Sequence, residues 1–467
     1  MNKVKIGFLP FYIKLYDDIG SGAKARPRLE PFAKKLADLI EERGFEVFLS
    51  PFCRIESEFD AAIKSFEEAG CSAIVTWHAA YSPSLESIGP LSATKLPIVV
   101  LDTTETFDFG PSQDQGEIAY CQGIHGVMDM CNMLHTKGKT FAIAAGHIDN
   151  SDVIDRVAGY LRAAVAATSL AGSKTASIGG SFDGMGDFLV PDADMLSRFG
   201  VEVVYPKKNE FAALIESVDE AAVEAEMALD RETYYEIEPV DEETHRRTVK
   251  NSLAVRKWIN DNGIDAFTAN FREIAVDTGL EIMPFMEACK SMARGIGYAG
   301  EGDVLTASLV GALLSAYDET SFIEIFCPDW KNDTLLLCHM GEYNPNLTAF
   351  RPGMKGIKFI FGDTKDPVVS YGCYKAGEAT FVNLYRTNGD FKMVISPVTM
   401  QEVKEGEDPS FAACRVRGWM KPRKPIAQFL EELSLLGATH HSALVYGATP
   451  REIAYFAQLL RIEYDII

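Results

Sequence analysis

The 467-residue chain carries 45 basic against 67 acidic residues, a formal net charge of −22, with 47% hydrophobic side chains. That acidity weighs against nucleic acid or an anionic membrane as partner, because both need a positive footprint; an uncharged ligand such as a free sugar fits better. The length exceeds one ordinary hydrophobic core and implies about three domains, and no window of roughly 18 apolar residues exists to span a bilayer.

Residues 4–9 predict a first strand: the apolar run stops at Pro10 and lacks the small-residue cleavage site of a signal peptide. A helix is expected over 28–44, with Leu29, Phe32, Leu36, Leu39 and Ile40 at helical spacing and Gly44 as its stop. There follow a strand at 46–49, a helix at 58–69, strands at 72–77 and 97–101, one helix over 116–134 and a strand at 140–145. Strands alternating with helices predict a parallel, Rossmann-like sheet. Ligands of such sheets sit beyond the carboxyl ends of the strands, where residues 12–16 and 77–83 fall.

A long helix over 151–170 opens a second α/β series, with strands at 175–178, 201–205 and 266–269 and helices at 210–229, 241–262, 284–294 and 303–317. Beyond Thr320, β-branched and aromatic runs at 322–326, 334–338, 358–361, 380–385 and 391–395 lie between Gly, Pro and Asn-Asp breaks. They predict an antiparallel sheet or small barrel, closed by a helix over 425–436. The expected organisation is an α/β protein with two Rossmann-like parallel domains, 1–172 and 173–319, and a mostly antiparallel β domain, 320–467. Nine scattered cysteines (Cys53, Cys71, Cys121, Cys131, Cys289, Cys327, Cys338, Cys373 and Cys414) form no CxxC pair. This pattern suggests a reducing, cytoplasmic compartment and argues against sulfur-ligated zinc.

There is no GxGxxG following a predicted strand, no P-loop lysine motif and no GxSxG elbow. Residues 295–302 (GIGYAGEG) imitate a phosphate cradle, but they follow a predicted helix and Glu301 would repel a phosphate. Two histidine contexts stand out. His339 ends an apolar strand (LLLCHM), and His440 and His441 sit in a Gly-led loop (GATHHS) before an apolar run. Glu301 lies in the glycine turn opening a helix, and Glu324 interrupts the apolar SFIEIF. A carboxylate in such a run is costly unless it is neutralised, paired or metal-bound. Two carboxylates with imidazoles suit a borderline-hard divalent ion, Mn²⁺ most naturally. A salt-bridged strand glutamate and an outward histidine pair account for the same spacing, so the residues alone leave both readings open.

Those stretches also carry a resemblance. GYAGEGDVLTAS at 297–308, TSFIE at 320–324, HMGEYNP at 339–345 and GATHH at 437–441 resemble four successive motifs of L-arabinose isomerases, in order and with similar spacing. Leu15-Tyr16, WHAAYSP at 77–83 and QGIHG at 122–126 extend the likeness to the N-terminal third. The resemblance implies a divalent metal, Mn²⁺, held by Glu301, Glu324, His339 and His441, with Glu301 and Glu324 as the proton-moving groups. It implies sugar contacts from His440, Tyr16, Tyr81, Gln122 and His125. It further implies a homotrimer or homohexamer in which the N-terminal domain of one subunit completes its neighbour's site. The implied reaction interconverts an aldose and a ketose through an enediol; a sugar epimerase or a non-catalytic sugar-binding protein on the same fold are the alternatives. The motifs are kept better than their surroundings. Ile325 and Phe326 replace an acidic residue and a tyrosine, Val304 a tryptophan, and Ile13-Lys14 stands where a glutamine is common. Tyr81 takes the place of a frequent phenylalanine, so the reaction transfers more surely than the sugar.

Overall fold

The computed structural model describes residues 3–20, 22–404 and 416–467; Cys414 lies outside them. The chain divides into two compact units, Met1–Thr168 and Ser169–Ile467.

The first unit is built on β1 (Val4–Phe11), β2 (Phe45–Leu49), β3 (Ala73–His78), β4 (Ile98–Asp102) and β5 (Phe141–Ala145), all parallel in the order β2-β1-β3-β4-β5. Near-continuous apolar strands such as β3 and β4 are what a sheet covered by helices on both faces requires. Leu9, Phe11, Ile74 and Val100 of the strands pack there with Phe59, Ile63, Phe66, Met130 and Leu134 of the helices. The order places the switch point between β1 and β3, the expected position for a ligand crevice. Two helices differ from expectation. The one predicted over 28–44 runs Gly22–Glu41, and the one predicted over 116–134 is broken into Ile118–Cys121 and Ile124–Thr136. The break has a steric cause: a Cβ on Gly123 would stand 2.3 Å from the His78 carbonyl oxygen, so the chain passes where only glycine fits.

In the second unit β6 (Lys174–Ile178), β7 (Glu202–Val204), β9 (Ala266–Ala269) and β10 (Gly297–Gly300) form a parallel sheet in the order β10-β9-β6-β7, while β8 (Tyr235–Glu236) pairs elsewhere. The glycine-rich stretch at 297–300 is thus an edge strand and not part of a loop following a helix. The helix expected over 210–229 is two, Glu210–Glu216 and Glu220–Thr233, because the Asp219 side chain caps the second by accepting from Ala222 N.

Beyond β11 (Thr320–Asp329), β12 (Thr334–His339), β13 (Gly353–Gly356) and β14 (Val368–Tyr371) come β15 (Gly377–Thr387), β16 (Asp390–Met400), β17 (Val416–Pro422), β18 (His441–Tyr446) and β19 (Glu463–Ile466). Six of these close an antiparallel barrel, β15-β18-β11-β12-β17-β16, through the long β15–β16 pairing; β19 adds to β16 and β13 joins β14 to β8. The β15–β16 hairpin turns on Asn388 (φ 51°) and Gly389 (φ 89°), the pair a two-residue turn of matching twist favours. The barrel is filled by Leu335, Leu337, Phe381, Val394, Val398 and Leu444, and Phe429 of the helix Ile426–Leu436 closes it. Residues 358–361 form no strand; the segment is irregular and is tied down by Phe359 N donating to Asp366 Oδ1 at 2.8 Å. All eleven residues of the helix Val304–Leu314 are buried, because it packs both on the parallel sheet and on the barrel wall. Among the described residues no helix is long and apolar enough to cross a membrane.

Candidate active site

The barrel sets three of the singled-out side chains on adjacent strands. Glu324 of β11 is the register partner of His441 at the start of β18, and His339 ends the neighbouring β12. Glu301 arrives from the other side, at the turn between β10 and the helix Val304–Leu314. It adopts φ +65°, a strained conformation for a non-glycine residue and one that concentrates at functional sites. Gly302 makes the turn possible, since a Cβ there would lie 2.3 Å from the Gly180 carbonyl oxygen.

Ligand-capable atoms of Glu324, His339 and His441 all lie within 4.8 Å of one another, and so do those of Glu301, His440 and His441. His339 Nε2 stands 3.5 Å from Glu324 Oε2, and His441 Nε2 is 3.6 Å from Glu301 Oε2. The far ring nitrogens are anchored. His441 Nδ1 contacts Asp303 Oδ2 at 3.0 Å, and His339 Nδ1 lies against the carboxylate of Glu342, itself bonded by the Tyr298 hydroxyl. Asp187 Oδ2 accepts from both the backbone N and Nδ1 of His440, at 3.0 and 2.7 Å. Carboxylates behind imidazoles fix ring orientation and tautomer, leaving Nε2 for a ligand.

The charges respond to this crowding. Burial pushes the Glu301 carboxyl up, but the hydrogen bond from His440 and the nearby imidazoles outweigh it, so its pKa is lowered. At Glu324 burial prevails over His339, His441 and His440, and its pKa is raised. Burial disfavours a charged His440, yet Asp187 and Glu301 more than compensate and push it up to about 10.

Asn383 on β15 fixes the histidine loop. Its Nδ2 donates to the carbonyls of Thr439 and His441 at 2.8 and 2.7 Å, and its Oδ1 accepts from Thr439 N at 3.2 Å. Asn383→Ala orphans several buried groups and is expected to destabilise the fold by about 2–4 kcal/mol, read as a lowered midpoint of chemical unfolding. An unchanged midpoint would refute this role.

A cavity of about 310 Å³ opens over the cluster, lined by Glu301, Glu324, His339 and His440 at its polar end. The other proposed sugar contacts lie in the first unit. Tyr16 donates from its hydroxyl to Gln122 Oε1 at 3.0 Å, just past β1, at the break that Gly123 imposes on the helix. Past β3, the Tyr81 ring stacks on His125 with centroids 4.8 Å apart and planes 3° from parallel. The structure thus assembles five residues in one unit and two pairs in the other.

The donor chemistry fits a divalent cation. His441 Nε2 is fully buried and has no hydrogen-bond partner among the described residues. Two carboxylates and oriented imidazoles surround it, as a borderline-hard ion prefers.

Family models for the L-arabinose isomerase central domain and C-terminal domain match residues 183–317 and 319–463. The chain belongs to the L-arabinose isomerase family. It is 27% identical to the L-arabinose isomerase of Geobacillus kaustophilus, over 85% of this chain and 81% of that one. L-arabinose isomerase 1 of Bacillus licheniformis is 26% identical over 96% of this chain and 91% of its own. The L-arabinose isomerase of Aeromonas hydrophila is 24% identical over 100% of this chain and 95% of its own. Membership of the L-arabinose isomerase family makes the chain a sugar isomerase. Sequence reasoning had not assigned roles to Asp303, Glu342, Asp187 or Asn383. The first two stand inside motifs shared with the L-arabinose isomerase family, so that signal was present; Asp187 and Asn383 sit in stretches that carry no motif.

Proposed function

We propose that the chain is a divalent-metal-dependent aldose–ketose isomerase acting on a free pentose or hexose through an enediol, with Glu301, Glu324, His339 and His441 holding Mn²⁺. The observation that carries this reading is the buried, partnerless His441 Nε2 among two carboxylates and a second oriented imidazole. A divalent ion bound there supplies Lewis-acid polarisation of the sugar oxygens at C1 and C2.

Glu301 and Glu324 divide the proton work. One carboxylate oxygen removes the proton from the carbon beside the carbonyl and returns it to the neighbouring carbon, while the other carries the proton exchanged between the two oxygens. His440, held at its Nδ1 by Asp187, presents Nε2 as a hydrogen-bond donor to a sugar oxygen. Tyr16, Tyr81, Gln122 and His125 act on the sugar bound by a neighbouring subunit, within a homotrimer or homohexamer. The enzyme works in the cytoplasm, in keeping with the absence of a disulfide among the described cysteines.

Chelation followed by dialysis is expected to abolish turnover, and Mn²⁺ to restore it; full turnover by the metal-free protein would sink the reading. Aldoses incubated in D₂O are expected to give a ketose labelled at C1. A second aldose labelled at C2 would instead identify an epimerase.

A further inference from the structure

This inference rests on the metal-centre reading and concerns how one of the proposed ligands is held. The buried strand β10 delivers Glu301 at its end. Its one large side chain, Tyr298, is fully buried, and a hydroxyl carried that deep is costly unless it is satisfied. The Tyr298 hydroxyl donates to Glu342 Oε1. The other oxygen of that carboxylate, Oε2, lies against His339 Nδ1. Three buried polar groups therefore stand in series, and the series ends on a proposed ligand.

The surroundings press the series together. A Cβ on Gly300 would stand 3.1 Å from His339 Cε1 and 3.8 Å from Glu342 Oε2, so the β10 backbone runs directly against both side chains. The Tyr298 ring is edge-on to Phe267 and Phe322, with centroids 4.9 and 6.3 Å away, and Phe322 is edge-on to the His339 ring at 4.9 Å. These contacts set where the rings lie, but none of them fixes the rotation of the Glu342 carboxylate. The Tyr298 hydroxyl does, because by occupying Oε1 it leaves Oε2 for Nδ1. An acceptor held there keeps the ring proton on Nδ1 and leaves Nε2, 3.5 Å from Glu324 Oε2, with its lone pair free. Apolar side chains at 298 and 342 would fill the same space without burying a charge. The group that gains from the polar pair is His339.

We propose that Tyr298 is a positioning residue for the metal centre, acting on His339 through Glu342. β10 thereby serves the centre twice, through Glu301 at its end and through Tyr298 three residues earlier.

Calorimetric titration of the metal-free, full-length protein with Mn²⁺ tests this. Tyr298→Phe keeps the ring and removes only the hydroxyl; it is expected to weaken Mn²⁺ binding about tenfold, the lower end of what a group behind a ligand contributes. Turnover lost at limiting Mn²⁺ should largely return at saturating Mn²⁺, a split that a general loosening of the fold would not give. Glu342→Gln is expected to weaken binding at least as much. In its background Tyr298→Phe should cost less than about a further twofold, because the carboxylate that the hydroxyl steadies is gone. Unchanged affinity in Tyr298→Phe, turnover that stays lost at saturating Mn²⁺, or the same loss with and without the Glu342 carboxylate overturns this inference and leaves the metal reading standing. A parent protein that takes up no Mn²⁺ overturns the metal reading itself.

Discussion

Glu324→Gln is expected to lower kcat by about 10³-fold or more, with no loss of thermal stability in the metal-free protein. The substitution keeps the shape of the side chain and removes the charge and the basic oxygen. Glu324 sits on β11 opposite His441, with its pKa raised chiefly by burial. A carboxylate whose charged form is disfavoured by the fold is one the fold tolerates for the reaction's sake, so neutralising it relieves strain. In the metal-free protein, activity and stability should therefore move apart: turnover with added metal collapses while the melting temperature of the metal-free form holds or rises. Glu301→Gln is expected to cost as much activity without that gain, because the imidazoles of His440 and His441 face its oxygen at 3.7 and 3.6 Å and lower its pKa overall. Steady-state rates and thermal melts on the two variants decide the matter. Full turnover by either would remove that glutamate from the proposed chemistry.

The parts of this molecule that were legible in sequence are those governed by local pattern. β9 falls on the predicted residues because Ala266–Ala269 is a short apolar run between breaks, and the helix after Asp241 starts where its cap dictates. The parallel sheet of the first unit and the β-rich C-terminal part followed from periodicity in the same way. What escaped was set by tertiary contact. The break before Ile124 depends on His78, 45 residues earlier, and brings Gln122 to Tyr16. Lys358–Phe361 has strand composition, yet its backbone is held by an Asp366 side chain instead of a neighbouring strand, and its phenylalanines serve as cavity wall. At the site, Glu301, Glu324, His339 and the His440–His441 pair stood out because charged groups are out of place in apolar or glycine-rich runs, but the residues alone left a salt-bridged glutamate and an outward histidine pair open as well, and only the resemblance singled out His441. Asp187 did not: it stands in SFDGMGDFLV, a stretch with no motif and no regular period, and only the fold brings it to His440.

Asp303→Asn carries the second large effect, and it separates two functions that one side chain performs. Asp303 is fully buried; Oδ1 caps the helix Val304–Leu314 by accepting from Thr306 N at 2.8 Å, and Oδ2 meets His441 Nδ1 at 3.0 Å. Asparagine keeps an oxygen for the cap, so the helix should persist. Its amide then turns a donor towards His441 Nδ1. Two N–H groups cannot face each other, so the ring must take the other tautomer and carry its proton on Nε2, the atom that the ligand cluster needs free. A carboxylate behind a ligating histidine is worth about 10- to 100-fold in metal affinity, and a reversed tautomer should reach the upper part of that range. Asp303→Ala is expected to add a loss of about 1–2 kcal/mol of stability from the missing cap. Metal titration by calorimetry with parallel unfolding curves distinguishes these outcomes. If Asp303→Asn bound Mn²⁺ as tightly as the parent, the orienting role of Asp303 would be wrong; if Asp303→Ala unfolded no more easily than Asp303→Asn, the capping role would be.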